Sequence, residues 1–368
     1  MSKNIVVFSD GTGQEGGKGN NSNVYKLFNM VEDRSSRQVA FYDRGLGTGW
    51  RKITGNGAGM GISKNIKECY EFIFNNYEIG DQIYLFGFSR GATTVRSLAG
   101  FIDLFGMLPK SRPELIDKAW KIYAIKTSTK ERKMEEKEWK RIVKAKEFVE
   151  HHHTMWCKIK FIGVWDTVAA LGIPFKFIDN IVEKIPGMKH GFHDLTLSQS
   201  IENAYHALSI DDERLTFHPT LWEADHLPYQ TVSQVWFCGM HTDVGGGYPE
   251  QQLSDITLEW MTNNAKNHGL HIYPHNKITA TLNPVPDGFM ENSRGGKLSQ
   301  FFRQQERFWP ENRSDTPIVH WSVVERKKSK ENKDSPTYSP WILKGTYMVE
   351  MPNGSLLDGK SYNVTVDV

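Results

Sequence analysis

Short apolar runs and amphipathic stretches take turns along the first two thirds of the chain. Ile5 to Phe8, Val39 to Tyr42, Ile83 to Phe86, Ile159 to Val164 and Val232 to Cys238 are rich in β-branched and aromatic residues and lie between polar, turn-forming stretches. That is the pattern of buried strands. Ile62, Ile66, Tyr70, Ile73, Phe74 and Tyr77 recur at helical spacing, as do Ala92, Val95, Leu98, Ala99 and Ile102. Ser254 is expected to cap a helix carrying Ile256, Leu258, Trp260 and Met261. The run "LSQSIENAYHALSI" (197–210) also reads as helical. This alternation predicts an α/β fold with a mostly parallel, doubly wound sheet. Ligands of such sheets bind beyond the carboxyl ends of the strands, so residues just after each strand are the candidates for chemistry.

Two regions break the alternation. Residues 110–155 form a charged helical insertion containing "KERKMEEKEWKRIVKAKEFVEHHHTMW", with Trp120, Tyr123, Trp139 and Val143 scattered through it. It reads as a solvated helical insertion or, more sharply, as a cap over the site or a peripheral membrane contact. His151, His152 and His153 look like a charged helix end, since three consecutive side chains cannot all face one metal. From about residue 270 the chain is rich in Pro, Asn and Gly, with strand-like pieces "PIVHWSVVER" and "GTYMVEM". No repeat or linker divides the sequence, so 1–368 is read as one domain whose 270–368 part is loop-rich and packs on the core.

Composition narrows the classes. The 368 residues are 39% hydrophobic and 24% charged, the range of a globular protein. A formal net charge of +2 gives no reason to expect nucleic acid as a partner. "MSKNIVVFSDGTG" lacks a signal-peptide pattern and no apolar run is long enough for a bilayer. The expected location is therefore cytoplasmic, with export by a specialised route left open. Cys69, Cys157 and Cys238 lie far apart without zinc or disulfide spacing and read as reduced core residues.

The candidate chemistry starts at "QIYLFGFSRGATTVRSLAGF". Gly87-Phe88-Ser89-Arg90-Gly91 matches G-x-S-x-G and falls between an expected strand and an expected helix, the context of an α/β-hydrolase nucleophile elbow. The plainer reading is a serine N-cap with glycines for close packing. A serine nucleophile needs a base and an orienting carboxylate, in chain order Ser, Asp, His. Asp166 follows the strand in "KFIGVWDTVAALG", and His241 follows the strand in "QVWFCGMHTDVGGGY". Asp166 could otherwise cap a helix starting at Thr167. Asp243 could orient a histidine or cap the turn at Gly245, Gly246 and Gly247. His206, placed within a helix, is the rival base. For an oxyanion the expected donors are the backbone amides of Arg90 and of Gly11 or Thr12 in the loop after the first strand, with Asp10 steadying that turn. A second glycine-rich loop, "DRGLGTGWRKITGNGAGMG", could shape a pocket floor or hold a polar head group. GxxxxGK[ST] is absent. No metal and no cofactor are expected; calcium dependence is left open, although nothing in the sequence indicates it. The rivals are a metal-dependent phosphoesterase using Asp10, Asp166, His241 and Asp243, separable by chelator, and a degenerate hydrolase serving as a binding module.

The segments "DGTGQ", "NVYKLF", "YDRGLGTG", "GFSRGA", "GVWDTV", "HALSIDDER", "VWFCGMHTDVGGGYPEQQLSD" and "VHWSVVER" together resemble the type VI secretion lipase-effector-like α/β-hydrolases. The resemblance runs from near residue 4 to about residue 326. It implies a Ser–Asp–His triad, carried over as Ser89, Asp166 and His241, and phospholipase A activity on bacterial membrane lipids. An ester or phospholipid is thus the expected substrate. The secreted effectors usually carry a large additional membrane-anchoring region, whereas this sequence reads as little more than the hydrolase core. The expected substrates therefore include soluble or monomeric esters, or lipids reached through the 110–155 insertion.

Overall fold

The structure, a computed structural model, describes residues 2–11, 13–14, 16–45, 56–124, 131–168, 197–274, 278, 281–292, 303–331 and 338–364. These residues form a nine-stranded sheet of β1 (Asn4–Ser9), β2 (Gln38–Asp43), β3 (Gln82–Phe88), β4 (Ile159–Trp165), β5 (Asn203–Ser209), β6 (Thr231–Phe237), β7 (Ile318–His320), β8 (Met348–Glu350) and β9 (Leu356–Asp358). The spatial order is β2-β1-β3-β4-β5-β6-β7-β8-β9. Every neighbouring pair is parallel except β8 with β9.

Both faces of the sheet are covered, which explains the continuous apolar runs. On one face Val6 and Phe8 of β1, Tyr84, Phe86 and Phe88 of β3, and Phe161 and Trp165 of β4 pack with α1 (Asn23–Met30) and a later helix, Gln252–Asn267. On the other, Ile5, Val7, Ile83, Leu85, Ile159, Ile162 and Val164 pack with α2 (Asn56–Asn76), α3 (Arg90–Phe105) and α4 (Leu115–Tyr123). The period-two split sorts these residues between the two cores, except at the start of β4, where a register shift against β3 puts Ile159 on the opposite side from Phe161. The chain leaves β1 toward β2 on one side and returns to β3 on the other. The crevice between the carboxyl ends of β1 and β3 is therefore the topological switch point.

Several expectations are corrected. The run 197–210 holds a strand, β5, with all seven residues buried, so His206 sits in the sheet and not on a helix. A strand buried on both faces loses the polar alternation that distinguishes it from a helix. Ser254 lies inside its helix, which begins at Gln252 with Gln251 as cap. In "PIVHWSVVER" only Ile318–His320 is strand, and Trp321–Glu331 is helix. The part after residue 270 supplies three strands to the sheet itself. Within 110–155 the structure describes α4 and α5 (Glu131–His152), the latter packed on α3 and α4. The three cysteines are free and buried.

One joint ties the start of the first helix to the segment after β6. Numbering onward, α6 is His241–Gly245 and α7 is Gln252–Asn267. Buried Asn23 at the start of α1 donates to the carbonyls of Val244 and Ser254 and to Thr257 Oγ1, at 3.0, 2.9 and 2.9 Å. Asn23→Ala leaves the Val244 and Ser254 carbonyls to share the single Thr257 hydroxyl. It is expected to cost about 2 kcal/mol, read as a lower urea midpoint at unchanged slope.

Candidate active site

Ser89 occupies the turn between β3 and α3 with φ 57° and ψ −119°, a conformation that is strained for a residue with a Cβ. It makes no side-chain cap to the helix, which removes the plainer N-cap reading. Its amide donates to the Trp165 carbonyl at 3.1 Å, tying the turn to the end of β4. Gly91 lies so close to β1 that a Cβ there would stand 1.9 Å from the Ser9 carbonyl oxygen. The small residues flanking Ser89 are thus demanded by the crossing of strand and helix.

Asp166 follows β4 directly, also at positive φ (38°), and is wholly buried. Its amide donates to Ala207 of β5. Its Oδ2 meets His241 Nδ1 at 2.7 Å, and its Oδ1 accepts from the Ser209 amide at 3.0 Å. Arg307 grips the same carboxylate through two nitrogens, at 2.7 and 2.9 Å. Burial alone pushes this carboxyl up, but the Arg307 charge and its hydrogen bonds, with those of His241, hold it well below the ordinary range. The carboxylate is an ionised acceptor at any ordinary pH.

His241 opens α6, just past β6, and is nearly buried. Its ring lies against Phe88, the residue before Ser89, at 4.6 Å between centroids, and against Phe217 at 5.1 Å. Gly245 of the same helix sits on the Phe88 ring, where an added Cβ would fall 2.0 Å from a ring carbon. Phe88 therefore seats the imidazole beside the serine turn. With Nδ1 facing an ionised carboxylate, the proton belongs on Nδ1 and Nε2 is left with a lone pair. A histidine so held can take a proton from a hydroxyl.

The other candidates play different parts. His206 Nε2 accepts from the Thr167 amide at 3.1 Å, and burial pushes its ring down to about 3. A neutral imidazole already committed to the backbone is not an available base; it braces the turn carrying Asp166. Asp243 accepts from the Met240 and Glu291 amides and does not orient the His241 ring. Asp10 steadies the β1 turn as expected, accepting from the Gly11 amide at 2.7 Å and from the Ser22 and Tyr42 hydroxyls, both at 2.6 Å. Burial pushes it up to about 6. Its bond to Gly11 corrects the expectation of a bare Gly11 amide. Thr12 and residues 46–55 of the second glycine-rich loop lie outside the described residues. The amide of Arg90, in the first turn of α3, has no acceptor within its helix. Among the described residues no group of three or more His, Cys, Asp or Glu side chains is placed to hold a metal ion. None of the described helices is long and apolar enough to cross a membrane.

Three residues went unassigned in the sequence. Asp212 accepts from the His241 amide at 3.2 Å, and Asp211 accepts from the Gly239 amide at 2.7 Å and the Tyr338 hydroxyl at 2.8 Å. Both stand in "HALSIDDER", just after β5, and the strand-end rule would have found them had β5 been recognised. Arg307, in "QQERFWP", has no local signal at all.

Residues 3–264 match the family described as T6SS, Phospholipase effector Tle1-like, catalytic domain. The uncharacterised protein YEL023C of Saccharomyces cerevisiae is 28% identical over 278 residues, which are 70% of this chain and 38% of that protein. The chain thus spans well under half the length of that relative. Three solved structures are also similar. An uncharacterised protein from Pseudomonas aeruginosa has a TM-score of 0.45 at 15% identity, over 76% of this chain and 48% of that one. The Tle1 effector bound to the VgrG spike of the type 6 secretion system has a TM-score of 0.37 at 18% identity, over 68% and 52%. A thermophilic esterase from Thermogutta terrifontis has 0.38 at 14% identity, over 73% and 85%. With the match running from β1 into α7, and Ser89, Asp166 and His241 all inside it, the chain belongs to the family of Tle1-like phospholipase-effector catalytic domains of the type VI secretion system.

Proposed function

We propose that the protein is a serine hydrolase that cleaves the carboxylic esters of phospholipids, with Ser89 as nucleophile, His241 as base and Asp166 as orienting acid. The observation that carries this reading is the 2.7 Å contact of His241 Nδ1 with buried Asp166, beside a serine held at φ 57° after β3. Ser89 Oγ attacks the ester carbonyl while His241 Nε2 takes its proton. The oxyanion forms against the Arg90 amide at the head of α3. Collapse of the tetrahedral intermediate breaks the ester C–O bond, and the leaving alkoxide takes the proton back from His241. Water then attacks the acyl-enzyme, giving its proton to His241, and the fatty acid leaves as Ser89 recovers its hydrogen. These steps call for no cofactor.

Helix α5 supports a lipid surface as the place of work. Trp139 and Ile142 stand 68% and 42% exposed, next to Lys140, Lys144 and Lys146. Apolar side chains among cations suit the headgroup region of an anionic bilayer.

The test is labelling with a fluorophosphonate, mapped by mass spectrometry, alongside release of fatty acid from phospholipid vesicles with and without chelator. The expected result is an adduct on Ser89, absent in Ser89→Ala and much slowed in His241→Ala, with turnover that survives chelation. A folded protein that takes no adduct, or turnover abolished by chelator, would overturn the serine reading.

A further inference from the structure

We infer that Arg307 is a positioning residue for the reaction, a guanidinium template that fixes both the acid and the base. The inference rests on the Ser89–Asp166–His241 reading and adds a residue from outside the family-matched segment 3–264.

All five N–H groups of Arg307 have acceptors. Nη1 and Nη2 each give one hydrogen to an oxygen of Asp166. Their second hydrogens go to the Ser209 carbonyl at 2.5 Å and the Phe217 carbonyl at 2.7 Å, and Nε donates to the Asp212 carbonyl at 2.9 Å. The planar fork therefore registers three segments at once: the turn after β4, the loop after β5 and the turn at Phe217. All three also hold His241, the first through Asp166 Oδ2 on its Nδ1. Asp212 accepts the His241 amide, and the Phe217 ring packs on the imidazole. A purely structural arginine would have no cause to gather the carboxylate, the backbone anchor and the ring support of one histidine. Lysine, with three donors on a point charge, cannot reproduce this set.

Arg307 also lines a cavity of about 610 Å³, together with His218, Trp236, Phe308 and Arg313. That cavity gives a small cation a way to the position the side chain would vacate.

The experiment uses the full chain and a soluble short-chain ester, with Arg307→Lys and Arg307→Ala. For Arg307→Lys the expected result is a fall of about 100-fold in kcat with KM little changed, the scale set by a small misplacement of catalytic groups. For Arg307→Ala, guanidinium at sub-denaturing concentration should restore a measurable part of kcat, and methylammonium should not. Arginine-labelled wild-type protein adds a measurement that needs no folded variant: the Arg307 side-chain N–H resonances should shift when Ser89 is phosphonylated. Wild-type kcat in folded Arg307→Lys, equal rescue by both cations, or unshifted resonances would each overturn the inference. An adduct on wild-type Ser89 tests the triad reading by itself, so failure of the arginine template is distinguishable from failure of the triad.

Discussion

Asp166→Asn is expected to lower ester turnover on the order of 10⁴-fold, a loss of the size seen when a triad histidine is left in the wrong tautomer. The surroundings of the carboxylate make the reason specific. Each oxygen accepts one Arg307 hydrogen and one other, from the Ser209 amide on Oδ1 and from His241 Nδ1 on Oδ2. An asparagine amide places its NH₂ at one of these positions, where it confronts an Arg307 donor in either orientation. Turned toward His241, the NH₂ demands a lone pair on Nδ1 and drives the proton to Nε2, the atom that accepts from Ser89 in the proposed mechanism. Turned the other way, it opposes the Ser209 amide.

The same substitution leaves a buried guanidinium without its counter-charge. Breaking a buried pair from one side typically costs about 3–5 kcal/mol, so the variant should also unfold at markedly lower denaturant. The wild-type pH dependence has a definite sign. A carboxyl whose folded-state pKa is depressed contributes stability that is full above the unfolded value of about 4 and is lost only as pH falls through the depressed value. Asp166 is depressed in this way. Asp10 runs the other way, since burial pushes it up to about 6. It gains its proton in the fold before it would in the unfolded chain, and so favours the fold as pH drops from 6 toward 4. Stability that collapsed between pH 7 and 5 in step with loss of the Asp166–Arg307 pair would contradict this assignment. Chemical denaturation across that range, for wild type and Asp166→Asn, reads it directly.

What the sequence made legible follows from the kind of physics each residue obeys. β1, β3, β4 and β6 declare themselves as β-branched and aromatic runs because each is bounded by polar turn residues. Ser89, Asp166 and His241 were reachable because a doubly wound sheet places its chemistry at strand ends, a rule that reads directly onto the linear chain. β5 was missed because burial on both faces erased its alternation, and with it went the proper placement of His206 and the significance of Asp211 and Asp212. Arg307 obeys no local rule. Its four partner residues lie 90 to 141 residues away in sequence. A buried arginine of this kind is fixed only by the assembled fold, whatever its neighbours in "QQERFWP".

Gly91→Ala is expected to remove most of the folded protein, although helix propensity argues for the opposite. Alanine inside a helix is favoured over glycine by about 0.5–1 kcal/mol, and Gly91 is the second residue of α3. The added methyl would stand 1.9 Å from the Ser9 carbonyl oxygen, 2.5 Å from the Ser9 carbonyl carbon and 2.7 Å from the Asp10 carbonyl oxygen. All three are backbone atoms at the end of β1, which is paired along its length to β2 and β3. Backbone held from both sides cannot swing aside as a flexible side chain would. Relief requires α3 to lift from the sheet, and with it the turn that sets Ser89. The cost should exceed the 1–3 kcal/mol typical of overpacking. Gly100→Ala in the same helix provides the control, because its methyl would meet only the Tyr123 side chain, 3.0 Å from the hydroxyl oxygen and 3.9 Å or more from the ring, and no backbone. That variant should remain within about 1 kcal/mol of wild type. Parallel urea titrations decide the matter: equal midpoints for the two variants would show that the crossing of α3 over β1 is looser than these contacts state, and with it the constraint that holds Ser89.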